Sequence, residues 1–342
     1  DYNATSAIGT DDTAALQRAI YQLYLNSQAL SYNEGPDSIS ERVVLNIPAG
    51  RYRISSTLYI PSYATLIGAG PNKTIFYYNP VRSVTGSTTN ENTVLTTSAA
   101  VDSMKGCVVT GTGIPSGTTV SSVVAGVSLT LSAAATSTQS NVSFSVTCTG
   151  PAVQFVNTFT TTTSVGDPNN TIALTAPKFI TMKDMTIALG NKTTVAMQMD
   201  SVRDSVFENL KLITINAFDQ AGLEWQEDYT NQLDAPIISN DNTSIGINLF
   251  GVSDLVNCER NLFRNITFAG FKYAVNSKYD IINNTFKDCY VFFCKRGFNL
   301  GDLSTRAPAS GQQYGPRNTL IENIVFERVY QHAVYIDAGK GN

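Results

Sequence analysis

Asn209-Leu210-Lys211-Leu212, Asn265-Ile266-Thr267-Phe268, Asn283-Asn284-Thr285-Phe286 and Asn323-Ile324-Val325-Phe326 repeat one phrase, an Asn followed three residues later by a large apolar side chain. All four lie between Ser205 and Ile336, and Asp184-Met185-Thr186-Ile187 is an earlier copy with Asp in the Asn place. Successive copies are 25, 56, 18 and 40 residues apart. The short gaps suit one turn of a solenoid, and the long gaps suit one turn plus a surface loop. Imperfect repeats of this kind mark architectures in which each unit buries its face on the next. The units are strand-like, as in Tyr290-Val291-Phe292-Phe293 and Val334-Tyr335-Ile336, so parallel strands stacked coil on coil are expected to form a β-helix. Asn side chains stacked at a turn bond one another and the backbone, so the Asn repeat reads as structural. Phe268, Phe286 and Phe326 read as core stacks.

The composition agrees. With 342 residues, 42% of them hydrophobic, the chain can bury a large core, and its length favours two or more domains. Only 15% is charged, and the abundance of Thr, Ser, Asn and Gly points away from a helical protein. The net charge of −4 and the lack of a basic stripe exclude nucleic acid as an expected partner. One histidine and five cysteines without a CxxC pair supply no metal cluster of the usual spacing. There is no calcium-site signature, and no metal or cofactor is expected. Cys258, Cys289 and Cys294 read as buried free thiols, whereas a bridge between Cys107 and Cys148 is left open by the sequence. No run reaches transmembrane length, so no membrane insertion is expected. No signal peptide opens the chain, and Asp1 in place of Met points to a trimmed N-terminus.

In chain order, Thr10-Asp11-Asp12-Thr13 precedes a segment in which Leu16, Ala19, Ile20 and Leu23 share a helical face. Thr10 or Asp11 suits the cap of this helix, and Asp12 suits its positive end. Such a helix can cover the first coil, whose free strand edges would otherwise aggregate. Short strands then alternate with turns at Pro48-Ala49-Gly50 and Pro61-Ser62. Gly9-Thr10-Asp11-Asp12-Thr13, Ile47-Pro48-Ala49-Gly50-Arg51-Tyr52 and Leu66-Ile67-Gly68-Ala69-Gly70 together closely resemble the start of the pectate-lyase-like superfamily. That group includes bacteriophage tailspikes and other polysaccharide-acting β-helix proteins. The resemblance implies a right-handed parallel β-helix with an N-terminal capping α-helix. It guides fold better than activity, because these motifs build the capped start of the helix.

Between about Thr88 and Thr149 the character changes. No Asp, Glu, Lys or Arg occurs from Gly106 to Gly166, and Val127, Leu129 and Leu131 alternate with Ser128, Thr130 and Ser132. Alternation of this kind marks half-buried antiparallel strands, with a hairpin turn expected at Ala125-Gly126. A small antiparallel β-sandwich or barrel is therefore expected to be inserted into the β-helix. Three parts follow: 1–87 with the capping helix and first coils, 88–149 as the inserted module, and 150–342 as the β-helix continued. The phrase from Gly111 to Val120 resembles a small module of phage virion proteins. The chain stops at Lys340-Gly341-Asn342 directly after a strand, so a continuation or neighbouring subunits are expected to cover the last coil.

For chemistry, the loop Glu224-Trp225-Gln226-Glu227-Asp228-Tyr229 is the first candidate. Glycoside hydrolysis uses two carboxyl groups, one to protonate the leaving oxygen and one to attack or activate water. Glu224, Glu227 and Asp228 are the candidate catalytic acids, and Trp225 and Tyr229 can stack on a sugar ring. A solvated acidic loop is the structural alternative. A true pair can also join Glu227 or Asp228 to Asp241, Glu259, Asp280 or Asp302. Arg203 with Asp200 and Asp204 is the nearest grouping suited to a lyase. His332 reads as structural. The resemblance implies a virion tail fibre or tailspike, a homotrimer that binds and depolymerises a host-surface polysaccharide and contacts other virion proteins. A purely structural virion protein, or a secreted carbohydrate-active enzyme, is the alternative.

Overall fold

The computed structural model describes residues 11–30, 44–157, 177–191, 194–214, 242–251, 257–278, 281–301 and 316–336. One helix, Thr13–Leu30, is followed by strands. The first parallel sheet runs through Val44–Ile47, Thr65–Gly68, Thr181–Leu189, Val206–Thr214, Leu262–Ala269, Thr285–Lys287 and Leu320–Glu322, with Gly50–Ile54, Thr74–Tyr78, Tyr290–Phe292 and Val325–Glu327 beside them. The second holds Leu58–Pro61, Val153–Val156, Val195–Asp200, Ile245–Phe250, Tyr273–Lys278, Arg296–Leu300 and His332–Ile336, in that order. A third, short sheet holds Cys258–Glu259, Ile281–Ile282 and Pro316–Arg317. Every pairing in these three sheets is parallel and joins one coil to the next. The chain is a parallel β-helix.

The corners explain the sequence repeat. A coil must change direction within one or two residues, and left-handed backbone does this; Asn and Asp tolerate it better than other side chains. Asp184, Asn209, Asn265, Asp288 and Asn323 all have φ between 51° and 60° and follow one another along the first sheet. Their side chains form a ladder: Asn209 Nδ2 donates to Asp184 Oδ1 (2.6 Å), Asn265 Nδ2 to Asn209 Oδ1 (3.1 Å) and Asn323 Nδ2 to Asp288 Oδ1 (2.6 Å). Asn283, expected in this series, is not in it. It occupies a second left-handed corner together with Phe179, Asp204, Arg260 and Asn318. Asp288 holds the place instead. The phrase Asn-x-x-Phe occurs at two corners of one coil, and that coil, which is uninterrupted, is 23 residues long.

These corners make a direct test. Asn265→Ala should destabilise the chain by about 1–2 kcal/mol for the left-handed backbone, plus about 1 kcal/mol for the lost ladder bond. Asn265→Gly should lose only the second contribution. Urea midpoints with unchanged m-values would separate the two variants.

Inside the coils, Phe155, Phe207, Phe263 and Phe286 are buried and line up along the axis. Phe207 and Phe263 stack at 5.2 Å, and Phe263 and Phe286 at 4.5 Å. Phe268 is fully buried and Phe326 packs at the margin of the core. Buried amides satisfy the turn backbone: Asn261 Oδ1 accepts from Ser205 N (3.2 Å), and Asn284 Oδ1 accepts from Asn261 N (3.1 Å). At the open start, Leu16, Ile20 and Leu23 of the helix enter the core. Gln17 covers the strand edge as a further strand would: Nε2 donates to Tyr59 O (3.1 Å), and Oε1 accepts from Tyr59 N (2.8 Å). Asp11 Oδ1 accepts from Thr13 N (3.0 Å), as expected of a cap, but the Asp12 carboxylate binds Arg53 N (3.0 Å). At the other end, Leu320, Val325, Val334 and Ile336 are exposed.

The inserted module takes the form of a barrel. Its strands follow the order Val108–Thr110, Gln139–Thr147, Val81–Thr88, Val94–Thr96, Ser128–Leu131 and Val120–Val124, all antiparallel. A bridge from Val108 to Thr119, with Val109 N donating to Thr118 O (2.8 Å), closes the ring. Closure removes the free edges that an inserted sheet would otherwise expose. The hairpin turns at Ala125-Gly126, with Gly126 at φ 71°. The module has its own core around Leu95, Val109, Leu129, Phe144 and Val146. Cys107 and Cys148 form a disulfide; Cys258, Cys289 and Cys294 are buried free thiols.

Candidate functional site

The second sheet carries the candidate site. Its inward residues, Met197, Met199, Ile247, Leu249, Val275, Phe298 and Leu300, belong to the core. Alternation along a strand puts their neighbours on the opposite face. There, Gln154, Gln198, Asn248, Asn276 and Asn299 are in register on five successive strands. Asn248 Nδ2 donates to Gln198 Oε1 (2.8 Å), Asn276 Nδ2 to Asn248 Oδ1 (2.8 Å) and Asn299 Nδ2 to Asn276 Oδ1 (2.7 Å). At one end of the row lies Asp200, which accepts from Gln198 Nε2 at Oδ1 (2.5 Å) and from Gln154 Nε2 at Oδ2 (3.2 Å). Burial raises the Asp200 carboxyl above the ordinary carboxylate value, and the two amide donors offset only part of the rise. A carboxyl whose ionised form is disfavoured keeps its proton to higher pH than an ordinary one, as a general acid requires.

At the other end, Arg296 lies between two tyrosines. Its guanidinium carbon is 5.7 Å from the Tyr273 ring centroid and 5.0 Å from that of Tyr335. It donates to Asn299 Oδ1 and Gln331 Oε1, both at 2.9 Å. Lys272 Nζ is 5.1 Å from the Tyr273 ring. The face thus combines amides, aromatic rings, two cations and a carboxyl. His332 is exposed on this face, with its ring 5.5 Å from Tyr335.

Among the acids and bases singled out from sequence, several are engaged: Asp200 accepts from Gln154 and Gln198. Arg203 pairs with Glu259 (3.5 Å), and Arg260 pairs with Asp204 (2.6 Å) and with Glu259 (2.7 Å). Arg203–Glu259 and Arg260–Asp204 join successive coils and Arg260–Glu259 joins chain neighbours, so Glu259 is not a free acid. Glu224, Trp225, Glu227, Asp228 and Tyr229 lie outside the described residues, as do Asp241, Asp280 and Asp302. The roots of the loop that bears the first five are described. Thr214 Oγ1 (3.0 Å) and Asn242 Nδ2 (3.4 Å) donate to the same oxygen, Gly270 O, so these two roots lie side by side, just ahead of Ile245–Phe250 of the second sheet. Among the described residues no cluster of His, Cys, Asp and Glu could hold a metal ion.

The amide row was missed from sequence. Its signal was present: Asn248, Asn276 and Asn299 are 28 and 23 residues apart, close to one coil. The mis-set register at Asn283 concealed it.

Residues 1–224 match the model of the family described as rhamnogalacturonase A/epimerase, pectate lyase-like. No curated protein matches the chain. Among solved structures, ORF18 of Geobacillus virus E2 is 13% identical with a TM-score of 0.33, over 94% of this chain and 46% of that one. A putative glycosyl hydrolase from Parabacteroides merdae is 10% identical with a TM-score of 0.34, over 94% of this chain and 93% of that one. The tailspike protein gp49 from Pseudomonas phage LKA1 is 12% identical with a TM-score of 0.23, over 92% of this chain and 57% of that one. The chain spans about half the length of the ORF18 chain.

Proposed function

This chain belongs to the rhamnogalacturonase A/epimerase, pectate lyase-like family, and on that footing we propose that it binds and cleaves a polysaccharide along the outer face of its second sheet. The observation that carries this reading is the row of five amides that ends at a carboxyl with a raised proton affinity. Gln154, Gln198 and Asn248 are half-buried and, spaced one strand apart at about 4.8 Å, can offer donors and acceptors to the hydroxyls of an extended glycan, while the buried Asn276 and Asn299 hold the row in place. Asp200 is the proposed general acid. Glu224, Glu227 and Asp228 remain the proposed source of the second carboxyl, and Trp225 and Tyr229 proposed stacking residues. The setting we propose is a homotrimeric phage tail fibre or tailspike in the virion that recognises a host-surface polysaccharide. The Gly111–Val120 resemblance to a module of virion proteins supports it.

A second reading, a structural virion component without glycan activity, is favoured by the ion pairs that engage Asp204, Glu208, Glu259 and Glu322. One experiment separates the two. The protein is incubated with purified host-surface polysaccharides, and both reducing ends and unsaturated-uronate absorbance are assayed. Reducing ends without uronate absorbance support hydrolysis, and absorbance points to a lyase. Binding without product leaves a recognition protein, and neither binding nor product leaves the structural reading. On the binding face, Arg296→Ala should weaken glycan affinity roughly tenfold, the value of one hydrogen bond to a charged group, as read by isothermal titration calorimetry.

A further inference from the structure

We propose that Arg296 is a positioning residue for Asp200 and acts on it through the four amides between them. The hydrogen bonds of the row run in one direction. Arg296 Nη1 donates to Asn299 Oδ1 (2.9 Å) and Asn299 Nδ2 to Asn276 Oδ1 (2.7 Å). Asn276 Nδ2 donates to Asn248 Oδ1 (2.8 Å), Asn248 Nδ2 to Gln198 Oε1 (2.8 Å) and Gln198 Nε2 to Asp200 Oδ1 (2.5 Å). The two ends dictate that direction. A guanidinium only donates and a carboxylate only accepts, so Asn299 turns its oxygen to Arg296 and Gln198 its nitrogen to Asp200. Each amide between them then has one orientation that bonds on both sides. Asn276 and Asn299 are buried, so a reversed amide there would leave polar atoms without partners, which is costly.

Hydrogen bonds in a chain polarise one another, so a cation at the head of the row strengthens the bond at its foot. That last donor favours ionised Asp200, in opposition to burial. Without Arg296 the row loses its fixed polarity, the donor to Asp200 weakens and the proton affinity of Asp200 rises. Direct attraction is a smaller effect. The strands of Arg296 and Asp200 are three spacings apart, about 14 Å at ~4.8 Å each, beyond the ~8 Å screening length at physiological salt. Around Asp200 stand Phe250 in register on the next strand, Lys278 one strand beyond it and Tyr59 past Gln154. The Cys258 thiol is near enough to feel the Asp200 charge, but burial pushes it up to about 12 and keeps it neutral. Arg203, Asp204, Glu259 and Arg260 are paired with one another. At the other end Tyr273, Tyr335 and His332 stand beside Arg296. None of these groups is altered in the variants that follow.

The test is the titration of the Asp200 carboxyl, followed by carbon NMR on aspartate-labelled protein, with the signal assigned by its absence in D200N. The titration needs no glycan; only its bearing on cleavage rests on the polysaccharide reading above. R296A, R296K and N248A are compared with wild type at low and high salt, with circular dichroism to show that each is folded. R296A should raise the proton affinity of Asp200 severalfold, up to the roughly tenfold that one hydrogen bond to a charged group is worth, and high salt should leave that change in place. N248A keeps the cation but breaks the row, so it should move the titration in the same direction. R296K donates to Asn299 as well and should restore most of the wild-type value. An unmoved titration in R296A or in N248A, or a change in R296A that vanishes at high salt, overturns the inference. If it is overturned while D200N abolishes cleavage, the acid reading of Asp200 stands. If the titration moves as expected while D200N cleaves at full rate, that reading falls and the coupling through the row stands.

Discussion

Phe263→Ala is expected to cost about 3–5 kcal/mol of stability, the range for removing a buried aromatic side chain. Phe263 is fully buried and sits between Phe207 and Phe286, stacked on each. Removal therefore ends two ring contacts, each worth about 0.5–1.5 kcal/mol beyond area burial. The coils above and below cannot close the gap, because their spacing is fixed by the strand ladder. A loss of this size is a large part of the usual 5–15 kcal/mol total. Denaturant unfolding followed by far-ultraviolet circular dichroism would measure it. The barrel's core does not include Phe263, so a probe placed in the barrel should report a smaller change. An unchanged midpoint in the β-helix would refute a continuous aromatic column.

Asp200→Asn is expected to lower the rate of polysaccharide cleavage by about 10²–10⁴, the usual contribution of a positioned acid. Binding should change less, since an amide of the same shape remains. The pH behaviour gives a second readout. Burial disfavours the ionised form, so the folded chain keeps this proton to higher pH than the unfolded chain. Cleavage that needs the proton should fall as pH rises through the raised value. Stability has the same sign: it decreases as pH climbs from the ordinary carboxylate range through the raised folded value, and is level beyond it. The D200N variant should lose that slope in both measurements. Wild-type cleavage with full activity retained in D200N would exclude Asp200 as the acid.

Much of the architecture was legible in the residues. Asn209, Asn265 and Asn323 mark a corner because left-handed backbone selects few side chains, and such selection leaves a trace in sequence. The same logic failed at Asn283 because one coil has more than one corner of this kind, and at Asp288 because Asp serves as well as Asn. The helix that carries Leu16, Ile20 and Leu23 was legible from its period. The role of Gln17 was not, since an edge-covering amide has no pattern of its own. Asp200 was visible only as one acid near an arginine. Its proton affinity depends on burial and on Gln154 and Gln198, which reach it from an adjacent strand and from its own. Sequence distance does not encode contacts of that kind.

The closed barrel has a consequence for the order in which the chain folds. Many coil contacts join residues one turn apart, 21 in the shortest case, between Val44 and Thr65, so turns can be added one after another. Longer closures lie where the barrel interrupts a coil: Tyr78 meets Gly150, 72 residues on, and Leu58 pairs with Val153, 95 residues on. Closing a flexible loop costs about 0.6 kcal/mol more with each doubling of its length, which would make these the slow steps. The barrel shortens them, because its first and last strands pair at Val81 and Thr147. Once the barrel has formed, the ends of the excursion are neighbours, and the second coil, made of Thr65–Gly68, Thr74–Tyr78 and Val153–Val156, closes across a few residues. A barrel that folds late would leave the first coils, with their capping helix, waiting for the rest of the solenoid.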